Sequence, residues 1–161
     1  MKKTLKALFT LAIAAVVFIS CGGNKTKEML VKKWQISDYK VDGMDQQMAQ
    51  MKAAADTTKD STMKAQFATQ LKMFEGAMEE IKKSTMEWKN AGVYEASISM
   101  MGQTQNMKGT WTLSKDGKKV IIVDDKQKTD SMNVDELTSE KFVSSSVNNG
   151  KKSTIVLVPA K

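Results

Sequence analysis

Gly92–Val158 reads GVYEASISMMGQTQNMKGTWTLSKDGKKVIIVDDKQKTDSMNVDELTSEKFVSSSVNNGKKSTIVLV. Apolar and polar residues alternate in short segments, and Gly, Asn and Asp break the segments at regular intervals, which is the pattern of an antiparallel meander. Tyr94, Ala96, Ile98 and Met100 share one face against Glu95, Ser97 and Ser99. The spacing predicts a turn over 102–105, then a strand with Met107, Trp111 and Leu113 opposite Lys108, Thr110 and Thr112. Asp116-Gly117 is a hairpin signal. Val120–Val123 follows, apolar on both faces, then Met132, Val134 and Glu136 on one parity, Phe142–Val147, the turn Asn148-Asn149-Gly150, and Ile155–Val158. The stretch predicts six strands.

Two more strands precede it. Met86 and Trp88 alternate with Glu87 and Lys89 before Asn90-Ala91-Gly92. Leu30, Trp34 and Ile36 lie on one parity and Tyr39 and Val41 on the other, so a bulge near Ser37-Asp38 must bend this first strand. Asp42-Gly43 ends it as a turn. Between these two strands the period changes. Met63, Phe67, Leu71, Phe74, Met78 and Ile81 form one stripe of an amphipathic helix, with Asp60 or Ser61 as N-cap and Glu79 placed to pair with Lys83. Met44, Met48, Met51 and Ala55 lie along a shorter helix, and Asp56-Thr57-Thr58-Lys59 separates the two. The expected fold is mainly β: an up-and-down antiparallel barrel of about eight strands, closed on itself to remove its edges, with a helix-turn-helix insert over 44–84.

The chain has 161 residues, enough for one domain with a real core. All 25 of its basic residues are Lys, and it has no Arg and no His. Arg is the side chain that grips phosphates and guanine edges bidentately, so the composition argues against a nucleic-acid partner despite the basic balance. Lys2, Lys3 and Lys6 lie in the N-terminal segment, leaving 22 lysines against 18 carboxylates, a net of +4. That is a solvated surface with mild attraction to anionic membranes.

At the N-terminus, Met1-Lys2-Lys3 precedes an apolar run over 5–19 that is too short and too abruptly ended for a stable span, which is the form of a secretion signal. The run closes on Val17-Phe18-Ile19-Ser20-Cys21-Gly22-Gly23-Asn24, which resembles the lipobox of bacterial lipoproteins, with Phe18 where the pattern usually has Leu. The resemblance implies cleavage behind Ser20 and acylation of Cys21 on sulfur and amino group by long-chain groups such as palmitate. Several acyl chains anchor a protein to the membrane essentially permanently. Residues 1–20 are then the signal peptide, 21–28 the lipidated cysteine and a linker, and 29–161 the barrel domain. Gly22, where an Asp would signal inner-membrane retention, points to an outer-membrane lipoprotein. The absence of an acidic cluster after Cys21, with Glu28 alone among lysines, points to the periplasmic face, with the cell surface as the alternative. Cys21 is the only cysteine, so no intramolecular disulfide and no Cys/His metal site can form.

Lys33-Trp34-Gln35-Ile36 with Asp42-Gly43, Asn90-Ala91-Gly92-Val93-Tyr94, Gly109-Thr110-Trp111-Thr112-Leu113 before Asp116-Gly117, and Asp135-Glu136-Leu137-Thr138 resemble the lipocalin-like domain of small secreted bacterial lipoproteins. The insert makes the layout similar to fatty-acid-binding proteins, whose helix-turn-helix occupies the same place and covers the barrel mouth. Those proteins commonly hold the ligand carboxylate with Arg, which this chain lacks.

Without His, Ser-His-Asp and Cys-His catalysis is impossible. Asp124-Asp125 and Glu79-Glu80 read as solvated neighbours, and Asp38, Asp42 and Asp45 lack the spacing of a calcium loop. A non-enzymatic protein without cofactor or metal is expected. Seven of the 13 methionines fall within 44–86. Methionine suits adaptable apolar surfaces, although such a stripe equally packs a helix on a barrel. The ligand-binding candidates are Trp34, Met48, Phe74, Met78, Trp88, Tyr94, Trp111 and Phe142, any of which also serves as a core plug. Ser144 and Ser146 on the parity of Phe142, and Glu136 on that of Val134, hint at a hydrated interior. The expected function is binding of a small apolar or amphipathic ligand by a membrane-anchored envelope protein. The alternative is a protein-interaction or inhibitor module with the insert as contact surface.

Overall fold

Eight strands close in chain order, each antiparallel to the last, until β8 returns to β1. They are β1 (Lys33–Val41), β2 (Thr85–Trp88), β3 (Val93–Met100), β4 (Gln103–Leu113), β5 (Lys119–Asp124), β6 (Thr129–Leu137), β7 (Phe142–Asn148) and β8 (Lys151–Pro159). Helix α1 (Gly23–Leu30) precedes the barrel, and α2 (Met44–Thr57) and α3 (Ser61–Ile81) stand between β1 and β2. This computed structural model describes residues 23–161, so the expected signal segment 1–20 and Cys21 lie outside the described residues. The barrel and its insert have the layout that the alternation predicts.

The β1–β8 register shifts between Ile36 and Asp38, which is the expected bulge. It lets Trp34 and Ile36, then Tyr39 and Val41, all face inward. A second bulge was not expected. The β6–β7 register shifts between Val134 and Glu136, which turns Leu137 inward and leaves Glu136 outside, paired to Lys141 at 2.8 Å. Glu136 therefore does not share the interior with Val134, although Ser144 and Ser146 do lie on the inward parity of Phe142.

Two further expectations change. Residues 23–28, read as linker, are the first turns of α1, and Leu30 ends that helix instead of opening β1. The turn expected over 102–105 tightens to Met101-Gly102, with β4 beginning at Gln103. Alternation alone cannot place the end of an exposed strand whose two faces are both polar.

Large side chains fill one end of the barrel. Trp34, Trp88, Tyr94, Trp111, Val120, Phe142 and Leu157 are buried together, and Leu30 of α1 closes the floor beneath them. Trp34 meets Phe142 edge-to-face at 5.9 Å, and Trp88 meets Trp111 at 5.5 Å and Tyr94 at 5.8 Å. Buried indoles need acceptors. Trp34 Nε1 donates to Leu30 O at 2.9 Å, and Trp111 Nε1 donates to Val93 O at 3.1 Å and Lys89 O at 3.2 Å, which ties the cluster to α1 and to the β2–β3 turn.

Toward the other end the wall splits. β2 pairs with β1 over only Lys33–Gln35, β5 pairs with β4 only from Gly109 to Leu113, and β7 meets β6 only from Asn133 to Leu137. Residues 103–108 of β4 have β3 as their sole strand partner, so this hairpin stands above its neighbours as a flap. The missing upper part of β2 is replaced by the end of α3. Ile36 N donates to Ser84 O at 3.0 Å, Ser99 N to Ser84 Oγ at 2.9 Å, Gln35 Nε2 to Lys82 O at 3.0 Å and Gly102 N to Glu80 Oε2 at 2.7 Å.

α3 is capped as expected by Asp60, whose Oδ1 accepts from Thr62 N at 2.8 Å and Met63 N at 3.1 Å. Glu79 pairs with Lys82 at 2.7 Å, one position short of the expected Lys83. α2 packs against α3, and α3 rests on β3 and β1. Ile81, last of the predicted stripe, reaches the core, whereas Met63 at the other end is exposed.

Candidate functional site

A cup follows from this geometry: a ring packed solid with aromatics at the closed end, and a splayed wall above it. The inward parity of each strand can be read from the register, starting at the buried Trp34, Trp88, Tyr94, Trp111 and Phe142. In the open half it brings together Tyr39 and Val41 of β1, Ile98 and Met100 of β3, Met107 of β4, Met132 of β6, Ser146 of β7, and Ser153 and Ile155 of β8. These positions are apolar or small and uncharged, and Gln103 and Gln105 of β4 share their parity toward the tip of the flap. Met100 is nevertheless 48% exposed and Met107 45% exposed. Met107 also borders a groove that runs over β1 to β4, where the flap stands clear of β5, so inward-parity apolar surface is left uncovered there.

The polar groups on the inward parity of this half lie on the flap, at Gln103 and Gln105, and along the strands and rim beside it. The hydroxyls of Ser146 and Ser153 lie 2.9 Å apart across β7 and β8. Asp124, opposite Gly109 on the inward parity, turns its carboxylate to its own loop, with Oδ1 accepting from Lys128 N at 2.8 Å and Lys126 N at 2.9 Å. Asp130 lies opposite Ile122. Tyr94 forms the floor on this side. Burial pushes its phenol above the usual tyrosine value, and the negative charges of Asp124, Asp125 and Asp130 add to the effect. Its ring crosses to β4 at Gly109, where any Cβ would run into Val123 O and come within 2.8 Å of Tyr94 Cε1. Below the rim residue Lys151, no lysine occupies an inward strand position.

The eight candidate side chains divide into two sets. Trp34, Trp88, Tyr94, Trp111 and Phe142 are buried in the closed ring, in contact with one another. Met48, Phe74 and Met78 are half-buried on the helix pair. Trp88 Nε1 is buried with no acceptor among the described residues. The lining of the open half, Met100, Met107, Met132 and Ser153 above all, was not singled out as a site from sequence. The available signal is the face that Met100 shares with Tyr94 and that Met107 shares with Trp111.

Two grooves lie outside the cup. One of about 510 Å³ runs over the outer faces of β1 to β4, among Lys33, Glu87, Glu95, Ser97, Asn106 and Lys108. The other, about 460 Å³, lies at the closed end among Lys27, Asn90, Trp111, Leu113 and Lys115. Among the described residues no three Asp, Glu, Cys or His side chains converge as metal ligands, and no helix is long and apolar enough to cross a membrane.

No protein-family model matches the chain, and no curated protein matches it. Solved structures do. A lipocalin-like protein from Bacteroides uniformis ATCC 8492 is 14% identical, with the match covering 82% of this chain and 99% of that one at a TM-score of 0.45. As-p18, an extracellular fatty acid binding protein, is 8% identical over 83% of this chain and 97% of its own, at a TM-score of 0.39.

Proposed function

We propose that the protein is a membrane-anchored envelope lipoprotein that binds a small apolar or amphipathic molecule, without catalysis, in the open half of its barrel. The observation that carries the binding is the exposure of Met100 and Met107 on the inward face. An apolar ligand seated against them removes that surface from water, at about 25 cal/mol for each Å² covered. Thioether side chains, free to change rotamer, suit ligands of varied shape. The head group of the ligand is neutral or cationic. An anionic head would find no cation below Lys151 and would face the charges of Asp124 and Asp130.

Anchoring rests on Cys21 and the apolar run before it, which together support export and acylation. Gly22 supports the outer membrane as the destination, and the absence of an acidic cluster after Cys21 supports its periplasmic face.

Mass spectrometry of organic extracts from the purified protein tests the binding, together with titration of a neutral monoacylglycerol and the fatty acid of the same chain length. A co-extracted apolar molecule and preference for the neutral lipid are expected. An empty extract with no binding of either lipid refutes the proposal. Met107→Asp is expected to lower affinity tenfold or more, by placing a charge on the apolar lining, with the circular dichroism spectrum unchanged.

A second reading has its own observation. Met73 is 66% exposed and Met101 78% exposed, on α3 and on the flap beside it, where a protein partner could cover them. Replacing residues 44–79 by a short Gly/Ser loop, which keeps Glu80 and Ser84, separates the two. Loss of a co-purifying protein with lipid binding intact supports the interaction module.

A further inference from the structure

We infer that the closed end of the barrel docks on an anionic membrane surface and holds the open mouth away from the bilayer. The strand directions decide which charges lie at that end. α1 and the turns 89–92, 114–118 and 138–141 are all there, and the turns 101–102, 125–128 and 149–150 are at the mouth. In residues 23–32 and the three closed-end turns, seven lysines stand against three carboxylates, Glu28, Asp116 and Glu140. In the β1–β2 connection over 42–84, which holds the helix pair, and the three mouth turns, eight lysines stand against eight carboxylates. The basic excess of the barrel ends is therefore confined to one of them.

The closed-end lysines surround a common face. α1 crosses the floor, with Thr26 against Gly117 of the β4–β5 turn, Lys27 Nζ 6.0 Å from the Trp111 ring, and Lys32 Nζ donating to Ser139 O at 2.9 Å. Lys89 and Lys141 are engaged by Glu95 and Glu136, both at 2.8 Å, while Lys27, Lys115 and Lys118 are exposed. Lys27 and Lys115 also border the closed-end groove, with Trp111 at its side.

Chain length names the partner. α1 begins at Gly23, two residues after Cys21 and four after the end of the apolar run at Ile19. At about 3.8 Å per residue, neither an acylated Cys21 nor an uncleaved apolar run can stand more than about 15 Å from the start of α1. Whatever holds this chain in a membrane therefore holds it by its basic end. Each lysine brought to an anionic surface there favours the bound orientation by roughly fivefold. The inference rests on the membrane-anchored reading but is independent of how the anchor is made and of any ligand.

The full-length protein, taken from membranes in detergent and reconstituted, is suited to lysine acetylation read by mass spectrometry. The two vesicle types are phosphatidylcholine alone and phosphatidylcholine with phosphatidylglycerol. Retention on the neutral vesicles through a high-salt wash reports the anchor by itself. On the anionic vesicles Lys27, Lys32, Lys115 and Lys118 are expected to lose labelling, while Lys126, Lys128 and Lys151 at the mouth keep it. Raised salt should restore the lost labelling. In the variant Lys27→Gln/Lys115→Gln/Lys118→Gln, protection of Lys32 should weaken with the near-UV spectrum unchanged. Protection of the mouth lysines, equal protection at both ends, or the same pattern on neutral vesicles overturns the inference. Protection by soluble polyglutamate in detergent, matching that on vesicles, assigns the face to an acidic polymer and overturns it as well.

Discussion

Gly109 and Tyr94 are directly opposite each other on β4 and β3, and the aromatic ring occupies the space that any other residue at 109 would need. Gly109→Ala must displace either that ring or the β5 backbone at Val123 and Asp124. A loss of about 1–3 kcal/mol or more is expected, read from the urea midpoint. Tyr94 itself carries a pH dependence. Its folded-state phenol ionises above the ordinary value of about 10, so the unfolded chain loses its proton first. The stabilisation is complete below that value and is lost as the pH rises through the ionisation of the folded protein. Urea midpoints measured from about pH 9 to about pH 11 should fall more steeply in the wild type than in Tyr94→Phe.

At the scale of elements, the helix pair is the least supported part of the fold. α3 exposes most of its first half, Met63 included, and is joined to the barrel mainly at its C-terminal end, through Glu80, Ile81, Lys82 and Ser84. Its N-terminal turn depends on the carboxylate of Asp60, and Asp60→Ala is expected to cost that helix about 1 kcal/mol. Hydrogen exchange should quicken over residues 61–69 with the strands unaffected, because that end opens without disturbing the barrel. Ser84 behaves differently. It is buried, and its hydroxyl holds Ser99 N while its carbonyl holds Ile36 N, so Ser84→Ala leaves the half-buried Ser99 amide without that acceptor. A loss of about 1–3 kcal/mol is expected, measured by thermal unfolding.

The whole molecule is a cup with one packed end, and that end holds all three tryptophans. Removing a ring there opens a cavity in a closely packed cluster, so Phe142→Ala is expected to cost about 3–5 kcal/mol. That is a large share of the 5–15 kcal/mol on which a domain ordinarily stands. Tryptophan fluorescence and far-ultraviolet circular dichroism should report one coincident transition in wild type, since the strands share a single core cluster. With one cysteine in the chain, added reductant should leave the midpoint unchanged.

Period and punctuation determined the barrel. Strict alternation over 94–100, turn residues at 116–117 and 148–150, and a parity switch at Ser37-Asp38 are local features, and local features are what a sequence records directly. The switch from period two to period 3.6 likewise located the helix pair, and of the two cap residues it offered, Asp60 and Ser61, the structure uses Asp60. What sequence could not decide was where pairing stops. The bulge that puts Glu136 outside and Leu137 inside depends on β7, and the exposure of Met100 and Met107 depends on β5 ending beside Gly109. Parity identifies the face of a strand but not whether anything lies across from it. The five aromatics among the candidate ligand contacts belong to the packed floor for the same reason: an inward ring reads identically above a filled core and above an open one, and only the tertiary structure sets the level at which the barrel stops being full.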